Sequence, residues 1–243
     1  VLWPRPAASS GGEPLLPGIA TGDITGLTIT GDTGAAPIKL AKQGDAWTAP
    51  EAGDFPVDAT KVNPILDKLV AIKTGRLVAQ TPASHAQLQV AADRFVRKLD
   101  IATAEGTRTL YLGSSAGGST IHVRLDGQDN VYLTSGLSTW EVSAELLSWV
   151  NPVYVAISSA DVTGFTLKNR NGEFAFTKDA QGNWTLGDLA AGEVTNPNNV
   201  VSQVDLFTGL RMTKPLGKTE DPAYGMADPS AVITLRYKSG EEE

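Results

Sequence analysis

The chain has 243 residues, 41% of them apolar and 19% charged, with a formal net charge of −7 and no cysteine. That composition describes a folded protein, and the length allows one large domain or two smaller ones. The acidic balance argues against a non-specific nucleic-acid binder or a polybasic membrane-surface module, both of which need a basic face. The missing cysteine excludes disulfides, thiolate metal sites and cysteine nucleophiles.

The chain opens with the apolar-aromatic stub Val1-Leu2-Trp3-Pro4-Arg5-Pro6, and a small, polar stretch runs from Ala7 to Glu13. This pattern reads residues 1–13 as a tether that follows a membrane anchor lying outside this chain. No apolar run reaches the length of a membrane span, and no signal peptide is visible. Pro14 to Ile19 then leads into a segment that the chain uses twice. Asp23-Ile24-Thr25-Gly26-Leu27-Thr28-Ile29 returns as Asp161-Val162-Thr163-Gly164-Phe165-Thr166-Leu167, and Trp47 after Gln43-Gly44-Asp45 returns as Trp184 after Gln181-Gly182-Asn183. Pro14 to Ile19 has its own partner in Pro152 to Ile157. One supersecondary unit used twice dictates the reading of the fold.

Ile24 to Thr30 alternates apolar and polar, as a strand with one buried face does. Gly31 to Gly34 turns the chain, Ile38 to Ala41 is a second strand, Lys42 to Asp45 a hairpin loop and Ala46-Trp47-Thr48 a third strand. Trp47 is expected in the core, with an exposed ring for stacking a sugar as the alternative. Asp58 or Thr60 can cap a helix running to about Lys73, and Pro64 favours the later start. Val62, Ile65, Leu66, Leu69 and Ile72 form its apolar stripe, and Gly75 is the expected stop.

A short strand from Gly75 to Gln80 precedes a turn over Thr81 to Gln89. Phe95 to Ile101, Thr107 to Leu112, Thr120 to Leu125 and Asn130 to Thr134 read as an antiparallel meander, with Gly113 to Ser119 as one of its loops. Ser138 and Glu141 form a capping box for a helix carrying Val142, Leu146 and Trp149, ended by Asn151-Pro152. In the second repeat Asn171-Gly172 marks a hairpin. Asn196 caps a helix with Pro197 in its first turn, and Val200, Val204, Phe207 and Leu210 rebuild the stripe. Val232 to Tyr237 matches Phe95 to Ile101, and the second repeat stops near the equivalent of Gly106. Either the chain is cut there or its second half is shorter, and in both cases the last strand is at risk of being an open edge.

This order of features resembles a known family. The residues that carry the resemblance are the Leu16-Pro17-Gly18-Ile19 opening and the Gly44 to Trp47 strand. With them go the helix in Pro56-Val57-Asp58-Ala59-Thr60-Lys61-Val62 and the meander with Leu110-Tyr111-Leu112-Gly113, Ile121 to Leu125 and Asn130 to Gly136. From Leu16 onward the chain resembles the domain-of-unknown-function family 4340. The resemblance implies a bacterial protein with an N-terminal membrane helix and an extracytoplasmic body. It further implies association with gliding-motility-type ABC transport systems, alongside a permease and an auxiliary subunit. It carries over no catalytic residue, and this chain departs from it in the missing anchor and the incomplete second repeat.

Gly113-Ser114-Ser115-Ala116-Gly117 fits the G-x-S-x-G pattern of a serine nucleophile. That chemistry needs a strand-to-helix elbow and a base, and here the motif joins two strands, with only His85 and His122 available. His122, alternating with Thr120 and Arg124, reads as a solvated strand histidine. Asp126 to Asn130 lacks the spaced carboxylates of a calcium loop and reads as a turn. Trp140 and Trp149, if exposed together near the lobe junction, would favour a binding groove.

The sequence thus predicts an α+β protein of two tandem related lobes, residues 14–151 and 152–243, each an antiparallel sheet packed by one main helix, the second truncated. No catalytic, cofactor-binding or metal-ligating residue is assigned; Trp140 and Trp149 are the candidate interaction residues. The expected function is a non-enzymatic interaction module of a membrane ABC-type transport complex, on the extracytoplasmic side of a bacterial inner membrane. The alternatives are a binding module for a cell-envelope glycan or peptide in the inter-lobe cleft, and a hydrolase using Ser115.

Overall fold

In a computed structural model of the chain, the structure describes residues 12–238. The stub with Trp3, most of the expected tether and the terminal Glu241-Glu242-Glu243 lie outside the described residues. The protein is α+β, with two antiparallel sheets. It divides into two compact units. One comprises residues 12–151 with Lys214–Lys218, the other Pro152–Thr213 and residues 219–238.

The first unit contains β1 (Ile24–Gly31), β2 (Ile38–Gln43), β3 (Ala46–Ala49), β4 (Phe55–Val57), α1 (Ala59–Ala71), β5 (Leu77–Ala79), β6 (Arg97–Thr103), β7 (Gly106–Gly117), β8 (Thr120–Leu125) and β9 (Val131–Thr134). Its nine strands lie in the order β4-β3-β2-β1-β6-β7-β8-β9-β5. The second unit contains β10 (Val162–Asn169), β11 (Gly172–Lys178), β12 (Trp184–Leu186), α2 (Pro197–Thr208) and β13 (Ala231–Tyr237), with its four strands ordered β12-β11-β10-β13.

Each sheet is closed by a strand distant in sequence. β6 pairs antiparallel with β1, and β13 with β10, in matching registers. Ile24 faces Thr103 and Gly26 faces Ala102 across a bulge at Thr25; Val162 faces Tyr237 and Gly164 faces Arg236 across a bulge at Thr163. An extra residue on one strand bends and twists it at the same place in both sheets. The segments ahead of β1 and β10 also dock alike, Leu15 N donating to Ile72 O and Tyr154 N to Leu210 O. Glu13, read from sequence as the end of the tether, is held here too, since its carbonyl accepts from Thr74 N at 2.7 Å.

The α1 stripe of Val62, Ile65, Leu66 and Leu69 is buried. Cross-strand partners put Leu27, Ile29, Leu40, Leu99, Ile101 and Leu110 on one face of the sheet, all buried. An amphipathic helix and an apolar sheet face each need such a partner, and together they make this unit's core. Trp47 is buried on β3 and Trp184 on β12. Trp184 packs with Val162, Phe165, Val200, Val204 and Phe207, and the Phe165 ring stacks on Phe176 at 4.6 Å between centroids.

Several local expectations need correction. Asp58, not Thr60, caps α1: its carboxylate accepts from Thr60 N and Oγ1, and its own N–H is held by Trp149 O. Pro64 consequently sits inside the helix, where its missing N–H leaves only the Thr60 carbonyl without a helical donor. Gly75 is not the helix stop, because α1 ends at Ala71 and Ile72 is extended. Gly75 instead lies against β9, where an added Cβ would come 2.7 Å from Leu133 O. No α-helix follows Ser138; Leu146–Trp149 is a single 3-10 turn. Val142 O accepts from Arg97 Nε and Ser143 O from the Trp149 indole, so two carbonyls that a helix would use are taken. Leu210 lies past the end of α2 and is exposed. The second hairpin turns on Arg170-Asn171, with Gly172 already paired to Asn169.

The opposite face of the meander is also buried, which alternation alone did not reveal. Residues 80–96 pack across it, Val90, Leu88 and Phe95 clustering with Tyr111 and Val131. Gly113 makes this possible, since an added Cβ would stand 2.3 Å from Leu88 O and 2.7 Å from a Val90 methyl. Gly113→Ala is expected to lift this segment off the sheet and cost about 1–3 kcal/mol, the usual range for overpacking. Chemical denaturation of the two proteins checks it; equal stability would contradict the close approach.

Candidate functional site

The serine motif lies on β7, which continues through it to Gly117; the expected loop shrinks to the residues just beyond. Register shifts between Leu112 and Ser115, and again before Gly117, replace the flexible loop with a bulged strand. His122 on β8 is buried, not solvated, and so is Arg124. The reason is the 80–96 segment, which covers their side of the sheet.

His122 Nδ1 lies 2.9 Å from Ser114 O and 3.2 Å from Ser114 Oγ. Donating to that carbonyl needs the proton on Nδ1, which leaves the same nitrogen unable to act as a base toward the hydroxyl. Ser114 Oγ itself donates to Leu88 O at 3.2 Å. Ser115, the residue the motif nominates, contacts Thr120 O at 3.5 Å and accepts from Gly117 N at 3.2 Å. The histidine is therefore brought to the neighbouring serine, in a bond that ties strand to strand. His85 is buried, with Nε2 2.9 Å from Asp129 O.

Arg124 is the group sequence reasoning missed. Its Nε donates to Val90 O at 2.7 Å and its Nη1 to Gln128 O at 3.0 Å, and the guanidinium lies 4.5 Å from the Tyr111 ring centroid. A buried cation is tolerated when its donors are satisfied, and here they fasten the covering segment to the sheet. Burial raises the Tyr111 phenol above its usual range. The Asp126 to Asn130 stretch is a turn, with Gly127 at a φ of 75° and Gln128 N donating to Leu125 O.

The two candidate tryptophans part company. Trp149 is 2% exposed, whereas Trp140 is 78% exposed. Both border an open recess of about 220 Å³ whose other walls are Lys61, Ile65, Glu141 and Ser148. Trp149 thus forms the floor, and Trp140 alone offers an aromatic face. Lys61 Nζ donates to Val150 O at 2.6 Å, and Glu141 pairs with Lys68 and accepts from Ser138 N and Oγ.

The second distinctive surface is β13. It pairs with β10 alone among the described residues, although its counterpart β6 is paired on both sides. Val232, Ile233 and Tyr237 are exposed along it.

The Lys68 ammonium, then the Ser138 hydroxyl, hold Glu141 at about 2, against an ordinary value of 4.5, with burial opposing. A carboxylate whose pKa is depressed by folding stabilises the fold above its unfolded pKa, and that stability goes as pH falls through the folded value. Between about pH 4.5 and 2 the protein should lose about 1–2 kcal/mol through this group, less than the full shift implies because Lys68 is partly exposed. Glu141→Gln should remove that part of the acid dependence. Urea titrations across this range check it, and an unchanged slope in the variant would contradict it.

Compared with curated proteins and with solved structures, the chain matches none. It does match one family, described as a domain of unknown function, over residues 47–229. The match begins at the buried Trp47 of β3, takes in the meander, the 80–96 segment and α2, and ends just before β13. With more than half of its length covered, the chain belongs to the DUF4340 family.

Proposed function

We propose that this chain is a non-enzymatic interaction module, held on the extracytoplasmic side of a bacterial inner membrane, that helps assemble an ABC-type transport complex. The observation that carries the reading is the open edge of β13. A strand with one row of backbone N–H and C=O groups unpaired among the described residues, and with Val232, Ile233 and Tyr237 exposed, is a template for a further strand. The occupant would be an extended segment of a permease or auxiliary subunit. The transport setting comes from the resemblance carried by the repeat and the meander. Among the described residues no helix is long and apolar enough to cross a membrane.

A second reading, a module that binds an envelope glycan or peptide, is favoured by Trp140. An indole this exposed beside a recess is a stacking platform with polar neighbours. The two readings put the working surface in different units of the protein.

One experiment separates them. The full-length protein is purified from detergent-solubilised native membranes, and the co-purifying subunits are quantified by mass spectrometry. Charge on an edge strand blocks further pairing, so Val232→Lys with Thr234→Lys should reduce permease and ATPase recovery about tenfold or more, equivalent to ~1.4 kcal/mol. Trp140→Ala should leave it unchanged. Recovery of the protein alone, from membranes that contain those subunits, would sink the assembly reading. Loss in Trp140→Ala alone would move the surface to the recess.

A further inference from the structure

The bulge in β10 opens a recess that the corresponding bulge in β1 does not have. It has a volume of about 540 Å³, and its walls include Asp161, Thr163, Lys178, Asp179, Arg236 and Lys238. The comparable stretch of the first unit, beside Thr103 and Ala104, borders a recess of about 180 Å³ with no cation in its wall. The registers explain the difference. Gly26 faces Ala102 and Ile24 faces Thr103, whereas Gly164 faces Arg236 and Val162 faces Tyr237. Arg236 and Lys238 therefore stand where the first unit has Ala102 and Ala104. Two alanines at the end of β6 and just past it are thus two cations in the second copy.

The arginine is seated against the backbone. A Cβ on Gly164 would lie 3.2 and 3.3 Å from the Arg236 Nη2 and Nε. The bare glycine is what lets the guanidinium lie there. Thr163 Oγ1 donates to Arg236 O, and Lys238 N donates to Asp161 O, so both strand ends at the recess are fixed.

Among the described residues, none of the three cations Lys178, Arg236 and Lys238 is engaged by a carboxylate, and no side-chain hydrogen bond engages them; Lys178 Nζ lies 5.7 Å from the Trp184 ring centroid. This contrasts with Arg97 and Arg124, whose guanidinium groups are engaged. Of the two acids in the wall, Asp179 is already spent. Its carboxylate accepts from Gln181 N, Asn183 N and Asn183 Nδ2 at 2.8–3.1 Å, which also holds it below the usual carboxylate range. Its charge remains, but its oxygens are occupied, and among the described residues Asp161 is the acid in the wall with its carboxylate open to a ligand or a cation.

We propose that this recess is an anion site for a phosphoryl group, gripped by the Arg236 fork with Lys178 and Lys238 beside it. A guanidinium presents paired N–H donors that match phosphate oxygens, and two ammonium groups add point charges. Three cations against the carboxylates of Asp161 and Asp179 leave the wall net positive, which suits an anionic phosphoryl group. The volume leaves space beyond the phosphoryl oxygens for an ester substituent, so the ligand is a phosphomonoester or a phospholipid headgroup. This site lies on different residues from the Trp140 recess and does not depend on the proposed assembly role.

The test uses the full-length protein and inorganic phosphate. Isothermal titration should show saturable millimolar binding, weakened about tenfold or more in Arg236→Gln, the loss expected for a charge-assisted contact. Lys238→Gln should weaken it less, and Lys39→Gln in the first unit should change nothing. Thermal unfolding verifies that each variant is folded; should Arg236→Gln fail to fold, Lys238→Gln and Lys178→Gln carry the test. Flotation with phosphatidylglycerol vesicles, against phosphatidylcholine alone, identifies the source. Vesicle binding competed by phosphate supports a headgroup, and phosphate binding without vesicle binding supports a soluble ester. Absence of both, equal competition by chloride, or wild-type affinity in Arg236→Gln with Lys238→Gln would overturn the proposal.

Discussion

The pairing of β1 with β6 is the contact on which the first unit depends. Everything between them, the small hairpin, α1, β5 and the 80–96 segment, must leave the sheet and return before β6 can lie beside β1. The pairing joins Ile24 to Thr103 at one end and Gly31 to Arg97 at the other. Closing so long a loop is costly in chain entropy, and the return is the burial of Leu27, Ile29, Leu99 and Ile101 on one face. The second unit solves the same problem with β10 and β13. The bulge recurs at the same step in both, just before Gly26 and Gly164, and at Gly164 an added Cβ would stand 2.9 Å from Phe176 O.

From that shared core the two units diverge at their rims. In the first, β6 continues into a meander whose second face is covered by residues 80–96 and pinned by Arg124 and Ser114. Polar side chains there act inward: Arg124 and Ser114 donate to Val90 O and Leu88 O of the covering segment, and His122 binds Ser114 of the neighbouring strand. In the second, β13 pairs with β10 alone among the described residues, and this counterpart of an interior strand of the larger sheet carries the exposed Val232, Arg236 and Tyr237. Surface chemistry is thus concentrated where the second sheet is smaller. A charge that would be buried beside a neighbouring strand is tolerated at an edge.

Much of this was legible in the residues. The repeat located β1 and β10, alternation found the meander, and Asn196-Pro197 announced α2, because short-range pattern and capping chemistry decide those elements. The failures have a common cause: residues whose local preference is overruled from a distance. Ser138 and Glu141 look like a capping box, yet Lys68 takes the carboxylate and Arg97 and Trp149 take the carbonyls. Pro64 suggests a later helix start, yet Asp58 is fixed by Trp149 O as well as by Thr60. His122 alternates onto an apparently solvent-facing side, and only the fold shows that residues 80–96 lie over it. One signal was available and went unused, namely Gly113 inside a strand-like run, which marks a close approach of another backbone. Of the two candidate tryptophans, Trp140 is exposed and Trp149 buried, a difference the sequence does not carry because both read as apolar aromatics and only packing separates them.

The central claim is that β13 offers an open edge which a partner strand fills. Hydrogen exchange of the 231–237 amides, read by mass spectrometry in the full-length protein alone and in the complex isolated from membranes, tests it most directly. The account predicts that amides on the free side exchange rapidly in the isolated protein and become strongly protected in the complex. Protection already complete in the isolated protein, or none gained in a complex that is demonstrably intact, would contradict it.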